Sequence, residues 1–388
     1  MNTSSLPGSD AWQRVERLLL VRLDNLGDVL MTTPAFRACA APGRHLTLLA
    51  SAGGAAVRGR LDSVDDVIEH AASWVKGADP GAQHGLQDRR LVAALRRGRF
   101  GAAIVFTVCT QSALPAALIC RLAGIPLRLA HVRENPYALL SDWVPDVDTV
   151  RDGMRHEVRR QLDLVESVGY RCTDDRLELR SSAGDARGAA QRLAAAGGDP
   201  TRPYVLVHVG SSATSRRYPA ARFGAAAHRL RQQTGLPIVF CGGPAEAEQV
   251  GAAVAAMQAA SQDHAQGACV ALAGGLQLGE LAALIDGAQL VICNNSGPAH
   301  IAAACGTPVV VTYAQTNPQH TPWKVPSRVL SREVPCKNCL KSRCPFVDHP
   351  CLLGIDEHEV AAAALDLLAE ARASRAAADP STRAARAA

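Results

Sequence analysis

Residues 17–39 read RLLLVRLDNLGDVLMTTPAFRAC, and the pattern changes character at Leu23. Residues 17–23 form an apolar run of strand length, whereas 29–39 suit a helix. Between them Gly27 fits a tight turn, and Asp28 falls where a helix N-cap would. A strand passing straight into a helix opens a βα unit. The same alternation recurs outward, with strands expected at 46–51, 64–69 and 102–107, and helices near 87–97, 112–123 and, longer, 153–168. A polar, Gly- and Ala-rich passage at 181–203 follows, with a helix-compatible centre at 185–196. The series then restarts with strands at 204–210, 237–242, 270–273, 290–293 and 308–313. Apolar strands alternating with Ala-rich helices predict the α/β class, as two Rossmann-like doubly wound domains. Ligands of such sheets bind outside the strands' carboxyl ends, so the expected site is a cleft across which the two domains face each other.

These readings divide the chain into a flexible N-terminus at 1–16, a first domain at 17–185, and a second at 186–370 that carries a Cys-rich segment at 336–351. A last helix begins near Asp356, and an Ala/Arg tail at 371–388 lacks apolar patterning and is expected to be disordered. The 388 residues are 48% apolar and 20% charged, too many for one core and incompatible with disorder throughout. Lys and Arg number 41 against 36 Asp and Glu, a formal charge of +5, much of it contributed by four tail arginines. The body is therefore near neutral, which gives no support to a nucleic-acid partner. No secretory signal or membrane-spanning run is visible, so the expected location is cytoplasmic.

Four strand-end segments could carry chemistry. Asp28 is either a structural cap or, held ionised by the helix dipole, a base for a hydroxyl nucleophile. The stretch His208-Val209-Gly210-Ser211-Ser212-Ala213-Thr214-Ser215-Arg216 places hydroxyls and a guanidinium behind a strand, a set that phosphate oxygens favour, although a Ser-rich surface loop would read similarly. In Cys241-Gly242-Gly243-Pro244-Ala245-Glu246 a Gly-rich turn precedes an acid able to hold ribose hydroxyls, or simply to favour a helix start. Asn294-Asn295-Ser296-Gly297-Pro298-Ala299-His300 leads small residues into a helix N-terminus suited to an anion, with His300 one turn in as a phosphate donor or a structural histidine. Neither G-x-G-x-x-G nor G-x-x-x-x-G-K-[ST] occurs, which argues against a dehydrogenase or a P-loop ATPase.

Of the 12 cysteines, eight sit singly along the chain. A free thiol in an apolar run behaves as a small hydrophobe. Cys336, Cys339, Cys344 and Cys351 cluster, and such a set can hold a structural zinc or iron ion or form a reduced or disulfide-tied loop. Closed four-Cys coordination would leave no position for catalysis.

Taken together, the four segments resemble glycosyltransferase family 9, the ADP-heptose:lipopolysaccharide heptosyltransferases, over about residues 17–364. The resemblance implies the GT-B fold, with the acceptor bound mainly by the first domain and a nucleotide sugar by the second. It implies Asp28 as catalytic base, with Ser211, Ser212 and Arg216 on the donor phosphates and Glu246 near the donor ribose. Asn295, Ser296, Gly297 and His300 fall on the family's Asp-[Ser/Thr]-Gly…His segment, with Asn295 where Asp is usual. The Cys cluster is similar to an iron-binding motif of autotransporter heptosyltransferases, with different spacing. Arg133-Glu134-Asn135-Pro136-Tyr137 and His156-Glu157 resemble a subgroup. The implied reaction is an inverting, metal-independent transfer to a lipopolysaccharide-core or related glycan, with the basic tail as the candidate for peripheral inner-membrane contact. Alternatives are a nonenzymatic nucleotide-sugar binding module, a transferase using another nucleotide sugar, and a redox or metal sensor built on the cysteines.

Overall fold

A computed structural model describes residues 9–75, 84–149, 153–260 and 269–378. The chain divides into two compact units, Met1–Leu179 and Arg180–Ala388. The first contains α1 (Ser9–Gln13), β1 (Arg17–Arg22), α2 (Leu26–Cys39), β2 (His45–Ala50), α3 (Ala52–Ala55), β3 (Asp66–Glu69), α4 (His84–Gly98), β4 (Ala102–Val105), α5 (Leu114–Leu122), β5 (Leu127–Val132), β6 (Asp142–Pro145) and α6 (Glu157–Glu166). The second contains α7 (Ala183–Ala195), β7 (Val205–His208), α8 (Ala220–Thr234), β8 (Ile238–Gly242), α9 (Ala247–Ala259), β9 (Cys269–Ala273), α10 (Leu278–Gly287), β10 (Leu290–Asn294), α11 (Gly297–Cys305), β11 (Val309–Thr312), β12 (Ser327–Leu330), α12 (Pro350–Leu353) and α13 (Glu357–Ala378).

Each unit is built on a parallel six-stranded sheet, in the orders β3-β2-β1-β4-β5-β6 and β12-β11-β10-β7-β8-β9. The two orders are the same Rossmann order, 3-2-1-4-5-6, read within each unit. Order therefore reverses between β1 and β4 in one sheet and between β7 and β10 in the other. A doubly wound sheet opens a crevice at that point. The central strands are apolar along their length because both faces are covered: β4, β7 and β11 are buried at every residue. In the first unit Leu19, Val21, Ala103 and Val105 pack against Leu95, Ala117 and Cys120 of α4 and α5. In the second, Val205, Val207, Ile238 and Phe240 share a core with Phe223, Leu230 and Val250. Gly235 (φ 68°) and Gly306 (φ 75°) end α8 and α11 in the left-handed conformation that only glycine adopts without strain.

Several expectations are corrected. The segment expected to be flexible at 1–16 includes α1, whose Trp12 is fully buried, stacks edge-on against Tyr170, and donates from its indole N–H to Asp142. Apolar burial holds it in place. The first sheet gains β5 and β6 and the second gains β12, which the apolar pattern had not marked: β5 carries Arg128 and His131, and both are buried. His131 is tolerated there because burial pushes its pKa down to about 4 and its Nε2 lies 3.0 Å from the Arg160 carbonyl oxygen. The alanine-rich sequence carries α13 through Ala378, into the tail expected to be disordered, and 379–388 lie outside the described residues.

Candidate active site

The first unit's site grows from the end of β1. Arg22, with no exposed surface, ends that strand and meets three carboxylates. Its Nε lies 3.1 Å from Asp24, and its Nη2 lies 2.9 Å from Glu157 and 3.5 Å from Asp28. Burial works against the guanidinium charge, but Asp24, Glu157 and Asp28 outweigh it and hold Arg22 more firmly protonated than usual. The same burial raises the Asp24 pKa against the pull of Arg22. Gln111 donates to Asp24 at 2.6 Å and Gln161 to Glu157 at 2.7 Å, so the network extends through amides. The side chain of Glu157 is 1% exposed and that of Asp28 16%, which makes Asp28 the more accessible of the two to a substrate.

Asp28 is not the N-cap. Asn25 occupies that position, because the chain turns helical directly at Leu26, and Asp28 is the third residue of α2. The Asn25 backbone N–H donates to Asp28 Oδ2 at 3.3 Å. The carboxylate still stands in the first turn, at the positive end of the helix dipole.

The second unit's candidates gather at the β7 and β10 ends. Gly210 is the pivot: a Cβ there would overlap the Glu246 carboxylate, so only glycine lets that acid close over the loop. Glu246 also accepts from the Gly243 N–H at 2.8 Å. Beside it, burial lowers the pKa of His208 despite the opposing charge of Glu246. Ser296 donates to the Gly210 carbonyl at 3.4 Å, which joins the β10 loop to the β7 loop. Ser211 is 4% exposed, and its hydroxyl has no protein partner. The buried Nε of Arg216 also lacks one. A buried donor without a partner is costly, so these two atoms are candidates for contact with a ligand. Ser212 is exposed, His300 is buried in the first turns of α11, and the space beside Gly297 is open.

Asn295 is 5% exposed; its amide donates to Asn317 Oδ1 at 3.3 Å while its carbonyl accepts from the Ala314 N–H at 3.4 Å. A carboxylate could accept but not donate, so asparagine fits both partners. Sequence reasoning missed its neighbour Asn294. That side chain, fully buried, donates to the Val209 carbonyl at 2.9 Å and accepts from the Tyr218 N–H at 2.9 Å, fixing the β7 loop onto β10. Arg22 and Glu157 were likewise not among the expected site residues.

The four clustered cysteines are free thiols lining one cavity of about 150 Å³ with His349. Among the described residues, the three ligand atoms that come together within 4.8 Å as a possible metal set belong to Asp356, Glu357 and His358, and no three of the thiols do so. The loop they occupy holds the residue before Arg216: Ser215 donates from its N–H to the Ser342 carbonyl at 3.0 Å and from its hydroxyl to the Lys341 carbonyl at 2.7 Å.

Two Rossmann sheets, each with polar groups gathered at its switch point, are the construction of a GT-B glycosyltransferase. Solved structures bear out the fold. A family 9 glycosyltransferase from Veillonella parvula superposes with TM-score 0.72 at 24% identity, covering 92% of this chain and 98% of its own. The E. coli ADP-heptose lps heptosyltransferase II gives 0.69 at 22%, covering 91% and 99%. In sequence, the chain is 27% identical over 336 residues to Lipopolysaccharide heptosyltransferase 1 of Pseudomonas aeruginosa, covering 85% of this chain and 88% of that protein. The profile of Glycosyltransferase family 9 (heptosyltransferase) matches residues 88–349. The chain belongs to glycosyltransferase family 9. No described helix is long and apolar enough to cross a membrane.

Proposed function

We propose that this protein is an inverting glycosyltransferase that moves a heptose from an ADP-sugar to a hydroxyl of a lipopolysaccharide-core or related glycan acceptor, working at the cytoplasmic face of the inner membrane. The observation that carries the reading is the pair of buried, unpartnered donors at the β7 switch point, Ser211 Oγ and Arg216 Nε. Together with the open start of α11 at Gly297, they form a cradle for the oxygens of a diphosphate. Ser212, Asn295, Ser296 and His300 complete the donor set, and Glu246 takes the ribose hydroxyls. Asp28 accepts the proton of the acceptor hydroxyl as that oxygen bonds to the anomeric carbon and the carbon–diphosphate bond breaks. Charge grows on the departing ADP, and the cradle holds it more strongly then than in the ground state.

The test uses Ser211→Ala and Arg216→Ala. Each is expected to raise the KM for ADP-heptose by about tenfold, the scale of a lost charge-assisted hydrogen bond, and the double variant by more. ADP that binds without any release from ADP-heptose in the presence of core oligosaccharides would instead favour the nonenzymatic module. No ADP binding at all would remove the reading.

No residue in this scheme calls on a metal. We assign Cys336, Cys339, Cys344 and Cys351 as the residues that would hold a structural zinc or iron ion. Their shared cavity and free thiols suit such an ion, and binding would draw the sulfurs closer than they now stand. Anaerobically purified protein should contain about one metal ion per chain, and Cys351→Ser should lose it. Because 341–342 hold Ser215, that variant should also bind ADP more weakly while keeping the helical signal of the wild type. Metal-free wild-type protein with full ADP affinity would refute the assignment.

A further inference from the structure

The first unit contains a cavity of about 250 Å³ at its own switch point, between the ends of β1 and β4. Its wall includes Asp24, Trp74, Phe106, Thr107, Gln111 and Ser112. Thr107 is 8% exposed, and its hydroxyl, unlike its carbonyl, has no partner in the protein. A buried hydroxyl left unpaired at a polar wall marks an unfilled hydrogen-bonding site. Opposite polarity is available beside it: Asp24 offers carboxylate oxygens, and Gln111 is fixed by its own bond to Asp24 at 2.6 Å. Trp74 and Phe106 supply flat apolar surface. No Lys, Arg or His belongs to this wall among the described residues, and its one formal charge is negative.

Such a wall matches a sugar ring, which shows an apolar C–H face to aromatics and hydroxyls to carboxylates and amides. It repels a second negative charge. Arg22 links the cavity wall to the proposed base, lying 3.1 Å from Asp24 and 3.5 Å from Asp28. We infer that this cavity is the subsite for the acceptor ring that presents the attacking hydroxyl, and that it takes an uncharged sugar rather than a carboxylated or phosphorylated one. The inference rests on the transferase reading and narrows it, because any anionic groups of the acceptor must then lie outside this pocket.

Direct binding tests it without the donor. Titrating the full chain with methyl glycosides of a neutral hexose and a neutral heptose should change tryptophan emission, and Trp74→Phe should abolish the change. A glycoside of a carboxylated keto-sugar should bind at least tenfold more weakly. Thr107→Val, checked for unaltered thermal unfolding, should weaken the neutral glycoside about fivefold, as expected for one hydrogen bond. The inference is overturned if neutral glycosides leave Trp74 emission unchanged up to their solubility, or if the anionic glycoside binds as tightly. Release of ADP from ADP-heptose is read separately. Turnover without neutral-sugar binding removes this inference alone, whereas binding without turnover removes the transferase reading and the acceptor role with it, and leaves a neutral-sugar site.

Discussion

Asp28→Asn should lower the transfer rate by about 10²–10⁴-fold, the range a positioned general base contributes, while ADP binding and thermal stability stay near those of the wild type. The asparagine carbonyl can still accept from the Asn25 N–H, so the first turn of α2 keeps its cap. What disappears is the basic oxygen. The fold should tolerate the change because Arg22 faces three carboxylates and would still be balanced by Asp24 and Glu157. A rate loss of this size is about 3–5 kcal/mol of transition-state stabilisation, too large to come from altered packing at a side chain 16% exposed. Steady-state transfer assays with ADP-heptose and core oligosaccharide, alongside a calorimetric ADP titration, separate the two effects. Full transfer by folded Asp28→Asn would show that another group takes the proton.

Much of this arrangement could be read from the sequence. Residues 17–23 end a strand that passes into a helix, and strand ends of doubly wound sheets are where ligands bind, so local pattern alone singled out Asp28, Ser211 and Ser296 as candidates. The register of the N-cap could not be read this way, because Asn25 and Asp28 are both good capping residues and only the backbone decides which one starts the helix. Strand β5 escaped notice for a physical reason. Arg128 and His131 interrupt the apolar pattern, and their partners, the carbonyls of Leu139 and Arg160, come from elsewhere in the fold.

Glu157 lies 135 residues from Arg22, and no local rule connects them. A signal was nonetheless present. Arg22 closes an apolar strand, as Asn294 closes another, and a polar group carried into a core must find a partner there. Reading such residues as requests for a distant partner would have pointed to the network, though not to which acid answers it.

Arg22→Leu should be the most destabilising single change in the first unit, at about 3–5 kcal/mol near neutral pH. The substitution leaves Asp24, Asp28 and Glu157 without their cation, and Glu157 is nearly inaccessible to water. The loss should depend on pH in a defined sense. Burial already raises the Asp24 pKa with Arg22 opposing it, so removing Arg22 raises it further. A carboxyl whose folded pKa exceeds its unfolded value of about 3.9 favours folding below that value, and the benefit is lost as pH rises through the folded pKa. The deficit of Arg22→Leu should therefore be largest at neutral pH and shrink as pH falls toward about 4. Urea unfolding followed by tryptophan emission reports this, since Trp12, Trp74 and Trp143 belong to the first unit and Trp323 to the second. Glu157→Gln is the control. It removes one of three negative charges and leaves Arg22 paired with Asp24 and Asp28, so it should cost far less than Arg22→Leu. Equal losses in the two variants, or a deficit in Arg22→Leu that ignores pH, would mean that Arg22 does not balance the three acids, and the electrostatic account of how Asp28 is positioned would fail with it.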